Sequence, residues 1–118
     1  MEPKNKPAGA NEFNMMFIES VEETISGLLG RTVSDAFTTH LQAYMGLSLD
    51  EIPDRPDAFF KALSGSFGIA GDRVGKYIVR KLYQKARVQF AEHDGGTLVD
   101  YVTALKQRLT EAEYGRST

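Results

Sequence analysis

Apolar residues in this chain return every three or four positions, in stretches cut off by glycine, and that rhythm restricts it to packed helices. Phe13, Phe17, Val21, Ile25 and Leu28 come at steps of four, four, four and three, which puts them on one side of a helix. Glu19, Glu22 and Glu23 fall mainly off that stripe, and Gly30 stops the helix because glycine reaches a left-handed cap without steric cost. Thr32 with Asp35 reads as a capping box, weaker than the Ser/Thr–Glu form. It opens a second helix with Val33, Phe37, Leu41, Tyr44 and Met45 on its apolar side, closed by Gly46. Ser48 and Glu51 make a better box and predict a short turn, Leu49 to Ile52, ahead of Pro53.

Pro56 suits the first turn of a third helix, where its missing N–H is not needed. That helix is expected to run to about Phe67, with Phe59, Phe60 and Leu63 turned inward and Gly68 as its stop. A fourth is predicted over about Asp72 to Phe90, with Val74, Ile78, Leu82 and Ala86 at four-residue steps. After the Asp94-Gly95-Gly96 turn, Thr97 and Asp100 cap a fifth, whose apolar positions are Leu98, Val102, Leu105, Leu109 and Ala112. Alternating strand patterns are absent. The expected fold is therefore all-α, a bundle of about five helices plus a short helical turn. Residues 1–11, with Pro3, Pro7 and Gly9 and almost nothing apolar, read as a mobile leader. Residues 12–118 are expected to form a single helical domain, a length at which one core can bury most of the apolar side chains.

Several chemistries are set aside by what the chain lacks. It has no cysteine, which excludes disulfides, thiolate metal sites and cysteine nucleophiles. No window approaches the ~18 apolar residues of a bilayer span, and Met1 to Asn11 has no secretory h-region, so a cytoplasmic location away from membranes is expected. The two histidines, His40 and His93, lack the convergent partners of a zinc site. Glu19 and Glu23 share a helix side without a further acid or histidine, which reads as a wet surface. The nucleophile-elbow pattern does not occur. Gly65-Ser66-Phe67-Gly68-Ile69-Ala70-Gly71 is glycine-rich ahead of a helix, but phosphate loops follow a strand and use another spacing, so it reads as a helix–helix turn. No catalytic, cofactor-binding or metal residue is assigned, no cofactor is called for, and the chain is not expected to be an enzyme.

One departure from average remains. Arg73, Lys76, Arg80, Lys81, Lys85 and Arg87 fall in the fourth helix with no acid among them. The segment carries +6 against −2 for the whole chain, which leaves −8 on the remainder. Arg73, Lys76, Arg80 and Arg87 lie on one stripe, with Lys81 and Lys85 beside it and Tyr77 and Tyr83 interleaved. A surface for a protein partner is the functional reading. The plainer one is a stripe compensated by Glu19, Glu22 and Glu23 or by water. Nucleic-acid binding through the same helix is the alternative, weakened by the mildly acidic whole, and a small-molecule sensor with a pocket among the helices is a second. The four-three-four spacing of Leu98, Val102, Leu105 and Leu109 suggests self-association, so a homodimer is expected.

Leu29-Gly30, the run Ala36-Phe37 to His40-Leu41, Ile52-Pro53-Asp54-Arg55-Pro56-Asp57-Ala58-Phe59, Phe67-Gly68 and Tyr77-Ile78-Val79-Arg80-Lys81-Leu82-Tyr83 follow one another here. In that order they resemble an archaeal family of small helical output domains, found attached to signal-transduction modules or standing alone. The resemblance covers about residues 28–83 and leaves out the leader and the fifth helix. It implies a helical non-membrane module that relays or receives a signal through protein contacts. It implies no catalytic residue.

Overall fold

A computed structural model describes residues 8–93 and 95–117, with side chains described for 11–93 and 95–111. Among the described residues five α-helices and a 3-10 turn occur, and no strand: α1 (Ala8–Leu29), α2 (Arg31–Met45), the turn Leu49–Asp54, α3 (Pro56–Phe67), α4 (Ile69–Ala86) and α5 (Leu98–Ser117). The bundle is all-α, and its extents of 45 × 40 × 21 Å are those of two helix layers, since a helix with side chains is about 10–12 Å across. Met1 to Pro7 and Asp94 lie outside the described residues, as does the side chain of Ala112.

Helix α1 is the hub. It packs on α2, the 3-10 turn, α4 and α5, while α3 packs chiefly on α4. Its stripe of Phe13, Phe17, Val21 and Ile25 is buried as the spacing predicts. Phe17 stacks on Phe60 at 6.2 Å and meets Phe59 edge-on, and Phe59 in turn contacts Phe37 from α2. Each such ring removed from water contributes roughly 1.5–3 kcal/mol, so this cluster ties α1, α2 and α3 together. The apolar side of α4, Val74, Ile78, Val79 and Leu82, closes the core with Val102 and Leu105 of α5.

Local chemistry explains most of the element ends. Ser48 N–H donates to Glu51 Oε1 at 3.0 Å. Thr97 N–H donates to Asp100 at 3.1 Å, and Asp100 N–H returns a bond of the same length to Thr97 Oγ1. Both boxes form as predicted. The one predicted at Thr32 does not: α2 starts at Arg31 from Gly30, whose φ of 94° few other residues adopt. Asp35 pairs with Arg31 at 3.4 Å instead. Helix α1 begins at Ala8, so the helix takes in part of the predicted leader, where Ala8 and Ala10 favour it. The 3-10 turn includes Pro53 and runs to Asp54.

The largest shift is in α4, which starts at Ile69 and ends at Ala86 rather than spanning Asp72 to Phe90. The glycine-rich stretch is the predicted helix–helix turn, reduced to one residue. Gly68 alone separates α3 from α4, with φ 62° and ψ −135°, a conformation open essentially to glycine. Gly71 is then the point of closest approach, since a Cβ there would press on the Leu63 backbone of α3. At the far end Arg87 takes the left-handed conformation, φ 60°, and the chain leaves the helix so that Phe90 packs between Tyr83 and Tyr101 at 5.1 and 5.0 Å. Tyr83 donates to the Tyr101 carbonyl at 2.6 Å, and the Tyr101 hydroxyl accepts from the His93 N–H at 3.0 Å. These bonds fix the return to α5.

Candidate interaction surface on the fourth helix

The six cations do not form one stripe. Lys81 and Lys85 lean on α1, where Lys85 reaches Glu23 at 3.2 Å and Glu19 at 3.5 Å and Lys81 reaches Glu23 at 3.7 Å. The hydrogen bond to Glu23 is the first cause that raises the Lys85 pKa above its ordinary value. Lys76 pairs with Glu92 at 2.8 Å, which holds the Glu92 carboxyl below the usual carboxylate range, helped by the nearby charge of Arg80. Arg87 is carried off the helix line by its left-handed backbone. It borders a groove with Lys85, Glu12 and Leu109 rather than with Arg73. The lysines are thus compensated by the chain's own acids, as the plainer reading of the charge pattern holds. Arg73, Arg80 and Arg87 make no ion pair among the described residues.

Arg73 and Arg80 stand two turns apart on one side of α4 with Tyr77 between them. That geometry follows from spacing of four and three. Ile69 extends the line at one end and is 77% exposed, and Tyr77 is 52% exposed. With Asp72 and Lys76 they line an open groove of about 390 Å³. A second groove of about 300 Å³ lies between α4 and the end of α1, lined by Glu23, Thr24, Gly27, Leu28, Lys81 and Gln84. Tyr77 and Arg80 border both grooves. Leu28, expected on the buried stripe of α1, is 52% exposed and sits in the second groove. Asp72, which borders the first groove, is held by the Ser64 hydroxyl at 3.3 Å.

Of the predicted self-association residues two are in the core and two are partly buried beside it. Val102 and Leu105 are each only 1% exposed, in the chain's own core, and Leu98 and Leu109 pack against that core. Their four-three-four spacing faces α1, α3 and α4 of the same chain. In contrast, Val33 and Tyr44, expected on the buried side of α2, are exposed. Phe37 and Leu41 alone of that predicted set are fully buried, joined by Ser34, because α2 rests on α1 by a different edge.

A groove of about 430 Å³ runs between α1 and α2 past Glu22, Glu23, Ser26, Ser34, Asp35 and Thr38. Its volume is within the range of ligand sites, but its lining is as polar as it is apolar where such sites are mostly apolar. Among the described residues no group of three His, Asp or Glu is placed to hold a metal ion. No helix among them is long and apolar enough to cross a membrane. No protein-family model matches the chain, and neither a curated protein nor a solved structure matches it.

Proposed function

We propose that this chain is a non-catalytic interaction module, a cytoplasmic output or adaptor domain of the kind its resemblance implies, whose α4 side takes an acidic amphipathic segment of a partner protein. The observation that carries it is the division of the cations: Lys76, Lys81 and Lys85 are ion-paired with carboxylates, while Arg73 and Arg80, which flank exposed Tyr77 beside exposed Ile69, make no ion pair among the described residues. Tyrosine and arginine are the residue types that anchor protein interfaces. Arginine offers a carboxylate two parallel bonds, and covering Tyr77, Ile69 and Leu28 adds the apolar gain that loose ionic contact lacks. The nucleic-acid alternative loses ground, because three of the six cations already have acids and phosphate binding draws on several free ones.

Titration of the protein with fluorescent peptides, one acidic and amphipathic and one with its acids replaced by lysine, tests the proposal. The acidic peptide binds, and Arg73→Glu together with Arg80→Glu weakens it at least ~10-fold, the scale of losing a charge-assisted pair. Equal binding of both peptides, or no loss in the double variant, overturns it. Retardation of duplex DNA that weakens steeply with salt favours the nucleic-acid reading instead. A metabolite that raises the melting temperature favours the sensor.

A further inference from the structure

Thr24 and Arg80 bring two unmet needs to one groove. Thr24 is only 5% exposed, and its Oγ1 has no hydrogen-bond partner among the described residues. The hydroxyls of Ser20, Ser26, Thr38 and Thr110 each donate to a carbonyl one turn back in their helix, and that of Thr24 does not. A buried hydroxyl left so costs stability and calls for a partner that the chain does not supply. Thr24 lines the groove of about 300 Å³ between α1 and α4. Arg80, which makes no ion pair among the described residues, borders the same space. We infer that this groove binds a small aliphatic carboxylic acid, its carboxylate held by the Arg80 guanidinium and the Thr24 hydroxyl. The inference shares Arg80 with the α4 reading but does not rest on it.

Shape and charge both select that ligand. The groove is mostly apolar in lining, the character of a small-molecule site, and its volume is at the small end of such sites. Half-exposed Leu28 supplies an apolar wall. Gly27 supplies the room, since a Cβ built there meets nothing within 4 Å. Tyr77, Arg80 and Gln84 follow at steps of three and four, which sets them on one side of α4. Among the charged residues that line the groove, Lys81 already pairs with Glu23 at 3.7 Å, so the charge left over is that of Arg80. One positive charge over a mostly apolar groove matches a monoanion with an apolar tail, and a guanidinium gives a carboxylate two parallel bonds. A phosphate group, with nearly two charges and three acceptor oxygens, asks for more cations than this groove offers.

Titration of the isotope-labelled protein with sodium pentanoate, followed by amide chemical shifts, tests this. Pentanol and sodium chloride at the same ionic strength are the controls. Pentanoate shifts the amides of Gly27, Leu28 and Gln84 saturably at about millimolar concentration, the scale for a ligand of a few heavy atoms, and the controls do not. Thr24→Val weakens binding roughly 10-fold, the scale of one hydrogen bond to a charged group, while it raises the urea midpoint. A threonine with a purely structural role would not give opposite changes in the two readouts. Gly27→Leu, which favours the helix and fills the open space, abolishes binding without loss of stability. The inference is overturned by the absence of saturable shifts, by equal shifts with pentanol or chloride, or by either variant binding as the parent does. A lower urea midpoint in Thr24→Val overturns it too, because the hydroxyl then has a partner inside the chain. The acid is titrated without peptide, so its failure and that of the acidic-peptide reading are seen separately.

Discussion

Thr24 and Ser20 lie one turn apart on the buried side of α1, yet their hydroxyls meet different fates. Ser20 donates to the Met16 carbonyl at 2.7 Å, the back-bond that serine and threonine make inside helices. Thr24 Oγ1 is buried with no hydrogen-bond partner among the described residues. A polar group taken from water without compensation costs about 1–3 kcal/mol. Valine has nearly the same shape without the hydroxyl, so Thr24→Val is expected to stabilise the fold by roughly 1 kcal/mol, read as a higher urea midpoint at unchanged slope. A lower midpoint would show that the hydroxyl is bonded. At this scale the sequence was silent, because both hydroxyls have a carbonyl one turn back within reach and the pattern does not say which of them takes it.

Elements were legible wherever their signals are local. The Ser48/Glu51 and Thr97/Asp100 boxes, Pro56 at the start of α3 and the Phe13–Ile25 stripe each depend on residues within a turn or a few, and each appears as predicted. What failed depends on tertiary contact. Helix α2 has apolar residues on two sides, and only its docking on α1 decides that Phe37 is buried and Val33 is not. The α5 seam has the spacing of a coiled coil, which cannot distinguish a second chain from the same chain's core. The glycines of α3 and α4 show the same division in energy. Alanine gains about 1 kcal/mol over glycine inside a helix, and Gly65 has open space for a Cβ, so Gly65→Ala is expected to stabilise by up to that amount. At Gly71 the added methyl meets the Leu63 backbone, and the overpacking cost of about 1–3 kcal/mol outweighs the same gain. Thermal melts of the two variants should therefore move in opposite directions, and a shift of equal sign in both would refute the close approach of α3 and α4.

The whole molecule binds protons differently folded and unfolded, and the described groups place the difference at both ends of the pH scale. Bonds from the Ser48 N–H and hydroxyl hold the Glu51 carboxyl below its ordinary 4.5, and the Lys76 bond does the same for Glu92. Both acids are ionised in the fold at pH values where the unfolded chain has begun to protonate them. Their contribution is complete above that range and disappears as pH falls through the folded values. Burial raises Tyr83 above 10.0, and the bond to Glu23 raises Lys85 above 10.5. These two groups keep their protons when the unfolded chain loses them, so their contribution is complete below about pH 10 and disappears as pH rises further. Stability measured by urea unfolding should thus fall at both the acid and the alkaline end of the scale. Tyr83 is the better lever on the alkaline side, because its hydroxyl donates to the Tyr101 carbonyl in a buried position, whereas the pairs around Lys85 are solvent-screened. Tyr83→Phe removes the ionisable group and keeps the ring against Phe90. It should lower stability at neutral pH by about 1 kcal/mol for the lost bond while flattening the alkaline fall. An alkaline fall as steep as in the parent chain would mean that Lys85 and its carboxylates, rather than the tyrosine that anchors α4 to α5, govern stability there.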